Sequence, residues 1–207
     1  RSVEFLPDDE ELEERRVRRI GLTRPEIAVL LAYAKMTLYD DLLSSDLPDD
    51  PWLVKDIGLY FPPMLSERYG EYLDTHRLRR EISATYITNS LINRAGPTFI
   101  NDLADETGAP PDRIARAYLI SRQVFSLRHL WAKIEALDNK VPADVQTSLN
   151  RDIQVLIRRA TVWFIERTDR TLEVSALVDS FAPGVGELAE SLDDYLSEDL
   201  KARVDGH

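Results

Sequence analysis

Apolar residues recur at helical spacing along almost the whole chain. Between Thr23 and Asp50, Ile27, Leu30, Leu31, Ala34 and Leu38 return at offsets of three and four, while Ala28, Val29, Ala32 and Tyr33 leave little polar surface on the other side. A helix apolar on every side is expected to be central and nearly surrounded by neighbours. Thr23 and Glu26 supply a T-x-x-E capping box at its start, each side chain serving the other's backbone amide.

Proline and glycine punctuate the elements that follow. Asp50 with Pro51 predicts an N-cap and first helical position, opening a short helix that Pro62 and Pro63 end, with a turn at Gly70. A long helix is expected over 76–95, stopped by Gly96-Pro97, with Pro97 leading a short helix through Phe99, Ile100 and Leu103 to Gly108. Over 111–137 the apolar face changes direction. Ile114, Ala117, Tyr118, Val124 and Phe125 make one face, and Leu127, Leu130, Trp131 and Ile134 make a rotated one, so a kink near Ser126 is predicted. Pro142 opens the most regular pattern, Val145, Leu149, Ile153, Leu156, Ala160 and Trp163, which is expected to pack along its whole length. Past Thr168 the pattern weakens to Leu172, Ala176 and Phe181, followed by a break at Pro183-Gly184. No period-two strand or fixed repeat is present. The fold class is all-α, an irregular multi-helix bundle of roughly seven to nine helices with no significant sheet. The expected organisation is an acidic arm over 1–19, a helical core over 20–168 and a helical appendage over 169–207.

Charge and composition narrow the partners. Asp and Glu outnumber Lys and Arg 37 to 26, a formal net charge of −11, so the mean field repels phosphate backbones and anionic lipid. The longest apolar run, Ile27–Ala34, is far short of the roughly 20 residues that cross a bilayer. The acidic amino terminus lacks a signal peptide's apolar centre, and the chain has no cysteine, which fits a reducing cytoplasm.

Candidate chemistry is sparse. Gly184-Val185-Gly186-Glu187-Leu188-Ala189 matches G-x-G-x-x-A, but that fingerprint acts only between a strand and a helix; here a loop leading into the last helix is expected. His76, His129 and His207 are too far apart to suggest a metal site, and structural roles are expected of them. The segment 103–118 has the rhythm of a helix-turn-helix, with Arg113 and Arg116 where a recognition helix would meet DNA, against which stand the net acidity and the apolar Ile114 and Tyr118. On the long helix, Asn89 and Asn93 project within about 60° of Leu78, Ile82 and Ile92, so they are expected to face inward as a structural polar network with Arg94. The same three residues are the candidates for a small-molecule regulatory site between helices. Arg79, Arg80 and Arg94 have two possible destinations, nearby acids or another domain. No catalytic, cofactor-binding or metal-ligating residue is assigned.

Three long segments carry a resemblance: TRPEIAVLLAYAKMTLYDDLLSSDLPDDPWL over 23–53, HRLRREISATYITNSLINRAGPTF over 76–99, and IARAYLISRQVFSLRHLWAKIEALDNKVP over 114–142. In this order they resemble the C-terminal helical region of the large bacterial NAD-specific glutamate dehydrogenases. The resemblance implies that the dinucleotide- and glutamate-binding parts lie upstream, so the chain, which starts at Arg1 without Met, is expected to be a noncatalytic structural or regulatory module. It implies NAD as cofactor of the parent enzyme and none here, with other domains or subunits of an oligomeric cytoplasmic enzyme as partners. The alternative is a stand-alone helical interaction module. An exposed apolar docking patch is expected at Leu127, Leu130 and Trp131 together with the stretch 172–181.

Overall fold

A computed structural model describes residues 4–73, 75–168, 172–191 and 194. Among them the regular structure is all helical. The helices are α1 (Asp9–Val17), α2 (Arg24–Leu43), α3 (Val54–Ile57), α4 (Pro63–Tyr69), α5 (Arg79–Ala95), α6 (Phe99–Thr107), α7 (Pro111–Val124), α8 (Leu127–Glu135), α9 (Ala143–Arg167) and α10 (Val174–Glu190), with short 3-10 turns between α2 and α5. The chain divides into two compact units, Arg1–Asp102 and Leu103–His207, with the boundary inside α6.

In the first unit, α2 and α5 pack together, and α5 also meets α3 and the 3-10 turn Leu47–Asp49. The buried face of α5 is Ser83, Ala84, Ile87, Thr88, Leu91 and Ile92, and α2 supplies Leu38 and Leu42. The capping box forms: the Thr23 amide donates to Glu26 Oε2 at 2.6 Å and the Glu26 amide to Thr23 Oγ1 at 3.5 Å. The Asp50 turn forms too, its Oδ1 accepting from the Trp52 amide at 2.9 Å. Pro62 and Pro63 do more than stop a helix, because Pro63 also opens α4 at the position where its missing N–H costs nothing.

In the second unit α7 is the surrounded helix. It packs against α9, α10 and α8, and Ile114, Ala115, Ala117, Tyr118, Leu119, Ile120 and Val124 are all buried. Burying each large apolar side chain contributes about 1.5–3 kcal/mol, so α7 is where this unit's stability concentrates. The chain breaks at Ser126, whose left-handed backbone (φ 49°, ψ 37°) separates α7 from α8 as the rotated apolar face requires.

Three expectations are corrected. The helix expected to be central, α2, buries only Leu38 and Leu42 in its last turns. Second, α9 does not pack along its whole length: Val145 and Leu149 are exposed, and the buried line is Ile153, Ile157, Ala160, Thr161, Phe164 and Ile165. Third, α10 runs straight through Pro183-Gly184, so no break lies there. Within the second unit α10 packs on α7.

Candidate functional site

Two arginines hold helix ends together. Arg80, second residue of α5, donates to the carbonyls of Leu43 at 2.8 Å and Ser45 at 3.1 Å, where α2 ends. It also pairs with Asp49, as does Arg79 at 2.8 Å. Arg113, third residue of α7, donates to the carbonyls of Ile165 at 3.0 Å and Thr168 at 3.3 Å, where α9 ends. The last carbonyls of a helix lack intrahelical donors and carry the negative end of its dipole, so a guanidinium is well matched to them. Arg79 and Arg80 thus go to a nearby acid and a helix terminus.

Arg113 is therefore committed to the chain itself, and the helix that carries it buries Ile114 and Tyr118 completely. A recognition helix must offer a face to the groove, and on α7 Gln123 alone is exposed, with Asp112, Arg113 and Arg116 half-buried.

The polar face expected on α5 is turned. Asn93 is exposed, and Asn89 and Arg94 are half-buried, so Asn93 does not point inward. The polar residues that do are Ser83 and Thr88, whose buried hydroxyls have no hydrogen-bond partner among the described residues. The misplacement is one of phase: the buried face of α5 is centred well over 100° around from Leu78 and Ile82, and Leu78 itself is exposed. Arg122, enclosed in α7 at 1% exposure, was not singled out by the pattern. Its only signal is position, four residues after Tyr118 on a core-facing stripe.

His76 stands before α5, its Nδ1 accepting from the Leu78 amide at 3.2 Å, and His129 is exposed on α8. Gly184 and Gly186 lie inside α10, preceded by helix, so no strand-to-helix turn is built around them. Among the described residues no group of three or more His, Asp or Glu side chains is placed to hold a metal ion, and no helix is long and apolar enough to cross a membrane.

The apolar surface is more informative than the polar one. Trp131, 5% exposed, and Leu127 are sealed in the second unit, as are Leu172, Val174 and Val178, so the docking patch does not lie where the rotated face suggested. Beside them Leu130, Ile134, Leu137, Leu149, Ile153 and Leu156 line an apolar groove of about 410 Å³ between α8 and α9. Trp163, Phe164 and Phe181 stack edge to face at 5.1–5.5 Å and line another of about 280 Å³.

A further exposed apolar surface lies on α2. Ile27, Leu30, Tyr33 and Met36 of α2 are 43%, 42%, 48% and 60% exposed. Polar pins hold the preceding segment beside them. Arg15 pairs with Glu26 at 2.9 Å and with Glu11, and Tyr33 Oη donates to Glu4 at 3.0 Å. Arg15, then the backbone amide and hydroxyl of Thr23, hold the Glu26 carboxyl at a pKa of about 2; the same pairing raises that of Arg15. Glu4 raises that of Tyr33.

Fold and surface together are those of an all-helical protein in which Arg80 and Arg113 join helix ends and apolar side chains of α2 stand exposed. The chain belongs to the family described as "Glutamate dehydrogenase, C-terminal", whose sequence profile matches residues 19–207. It is 46% identical over 93% of its length to an NAD-specific glutamate dehydrogenase of Halomonas elongata, and 43% over 95% to one of Pseudomonas aeruginosa. A similar enzyme of Mycobacterium tuberculosis is 34% identical over 99% of the chain. In each case the chain spans 12% of the relative's length.

Proposed function

We propose that this chain is a noncatalytic helical module of an NAD-specific glutamate dehydrogenase, an oligomeric cytoplasmic enzyme that converts L-glutamate, NAD and water into 2-oxoglutarate, ammonia and NADH. The module packs against the other domains or subunits and holds them in place, and through that contact it transmits regulation. NAD and glutamate bind elsewhere in the parent polypeptide.

The observation that carries this reading is the commitment of two half-buried arginines. Arg80 and Arg113 are turned onto the carbonyls that end α2 and α9. A guanidinium fixed between two main-chain oxygens is a brace between helices and has few donors left for a ligand. The test is an assay of the purified chain with L-glutamate and NAD. No NADH is expected to form, and measurable turnover would overturn the assignment of catalysis to other parts of the enzyme.

A further inference from the structure

We infer that the N-terminal half of α2 is the seat of the catalytic portion of the dehydrogenase polypeptide, the portion that precedes this region in the relatives. This rests on the functional reading above and adds to it a surface and an occupant.

The core stripe of α2 outruns its partner. Leu38 and Leu42 are buried in the unit that α5 shares. At about 100° per residue, Ile27 and Leu31 lie within about 20° of Leu38, on the same stripe, and Ala34 lies within about 40°. None of the three is fully buried, Ile27 being exposed and Leu31 and Ala34 half-buried, so the stripe continues towards Thr23 for about three turns only partly covered. The exposed residues also go round the helix. Ile27, Leu30, Tyr33 and Met36 step back by about 60° each, sweeping about half the circumference, and Ala28 and Ala32 on the remaining side are exposed as well. A stretch apolar on all sides is matched to enclosure, and each Å² left in water forgoes about 25 cal/mol.

The breadth of this surface selects the occupant. A second copy of the chain laying helix against helix would cover one stripe of about 100° and leave much of the sweep wet. A concave seat built from several elements covers it, and the body of a catalytic domain supplies one. In the relatives the matched region is 12% of the polypeptide and the family is its C-terminal part, so most of the enzyme precedes it. The uncovered half of α2 is the half nearer that portion along the chain, where tethering keeps the effective concentration high. The segment leading in is pinned beside it by Arg15–Glu26 and Glu4–Tyr33, yet Ile27, Leu30, Tyr33 and Met36 stay more than 40% exposed.

The test uses the whole dehydrogenase polypeptide that carries this chain. With Leu30→p-benzoylphenylalanine, illumination is expected to cross-link α2 to a peptide of the preceding catalytic portion, identified by mass spectrometry. In a parallel variant Met36→Cys is expected to react with a maleimide about tenfold more slowly than Asp105→Cys, the ratio for a contact closed about ten times as often as open. A cross-link to α2 of a second copy would overturn the assignment of the occupant. Absence of any cross-link, with Met36→Cys as reactive as Asp105→Cys, would overturn the seat itself. Turnover by the chain alone would remove the functional reading instead, a result independent of either label.

Discussion

Arg113 at the start of α7 donates to the carbonyl oxygen of Ile165, 3.0 Å away at the end of α9 and 52 positions along the chain. Arg80 does the same for Leu43 at the end of α2, across 37 positions. Each compact unit therefore has an arginine near the start of one long helix that closes the end of its neighbour. The device fixes how far one helix slides along the other, which apolar stripes leave loosely determined.

Removing either brace leaves terminal carbonyls with no donor. Arg113→Met, which keeps the aliphatic stem, is expected to destabilise the chain by about 1.5–3 kcal/mol, the range for hydrogen bonds to a charged group. Urea unfolding followed by circular dichroism reads the change, and an unaltered midpoint would show that the brace contributes nothing.

Glu26 makes the start of α2 sensitive to acid. Its pKa is about 2 in the folded chain against an ordinary 4.5, chiefly because Arg15 hydrogen-bonds to it. A carboxylate whose pKa falls on folding stabilises the fold above its unfolded pKa, and that contribution is lost as pH falls through the folded value. The stability gap between wild type and Glu26→Gln is thus expected to be full above pH 4.5 and to close by about pH 2. Urea titrations across that window check it; a gap that stays constant would rule out the ion pair as its source.

The buried threonines should respond in opposite senses to the same change. Thr88 Oγ1 has no partner among the described residues, whereas Thr161 Oγ1 donates to the Ile157 carbonyl at 2.7 Å beside Ser121 Oγ at 3.5 Å. An unpaired buried hydroxyl costs about 1–3 kcal/mol, so Thr88→Val is expected to raise the melting temperature. Thr161→Val, which gives up a made bond, is expected to lower it by the equivalent of about 0.5–1.5 kcal/mol. Calorimetry on both variants decides, and shifts of the same sign would count against this account.

Leucine and isoleucine positions on one stripe of α2 should differ sharply. Leu42 is fully buried, and Leu42→Ala is expected to cost about 2–5 kcal/mol through lost contacts and a cavity. Ile27→Ala, at a position 43% exposed, is expected to stay within about 0.5 kcal/mol in this chain. Equal costs would mean that α2 is enclosed along its whole length.

Helix ends were legible in the sequence because they are set by local chemistry. The Thr23–Glu26 box, the Asp50-Pro51 start, the Gly96 stop and the Ser126 break all depend on residues within one turn of each other. Pro183 shows the limit of such cues, since α10 continues through it and keeps its packing on α7. The family, too, was written in the order and length of three segments.

Which helix is surrounded, however, is not a property of the helix. The stretch Ile27–Ala34 is more continuously apolar than any part of α7, yet α7 lies at the centre of its unit and the first half of α2 has no fully buried residue. Composition records how much surface a helix must hide; only the tertiary structure decides whether this chain or another part of the polypeptide hides it. The same holds for Asn93, Arg80 and Arg113. Periodicity defines a face to within a stripe about 100° wide, and a shift of one residue in the approach of a neighbour moves a side chain from the core to solvent, or from solvent onto another helix's last carbonyls.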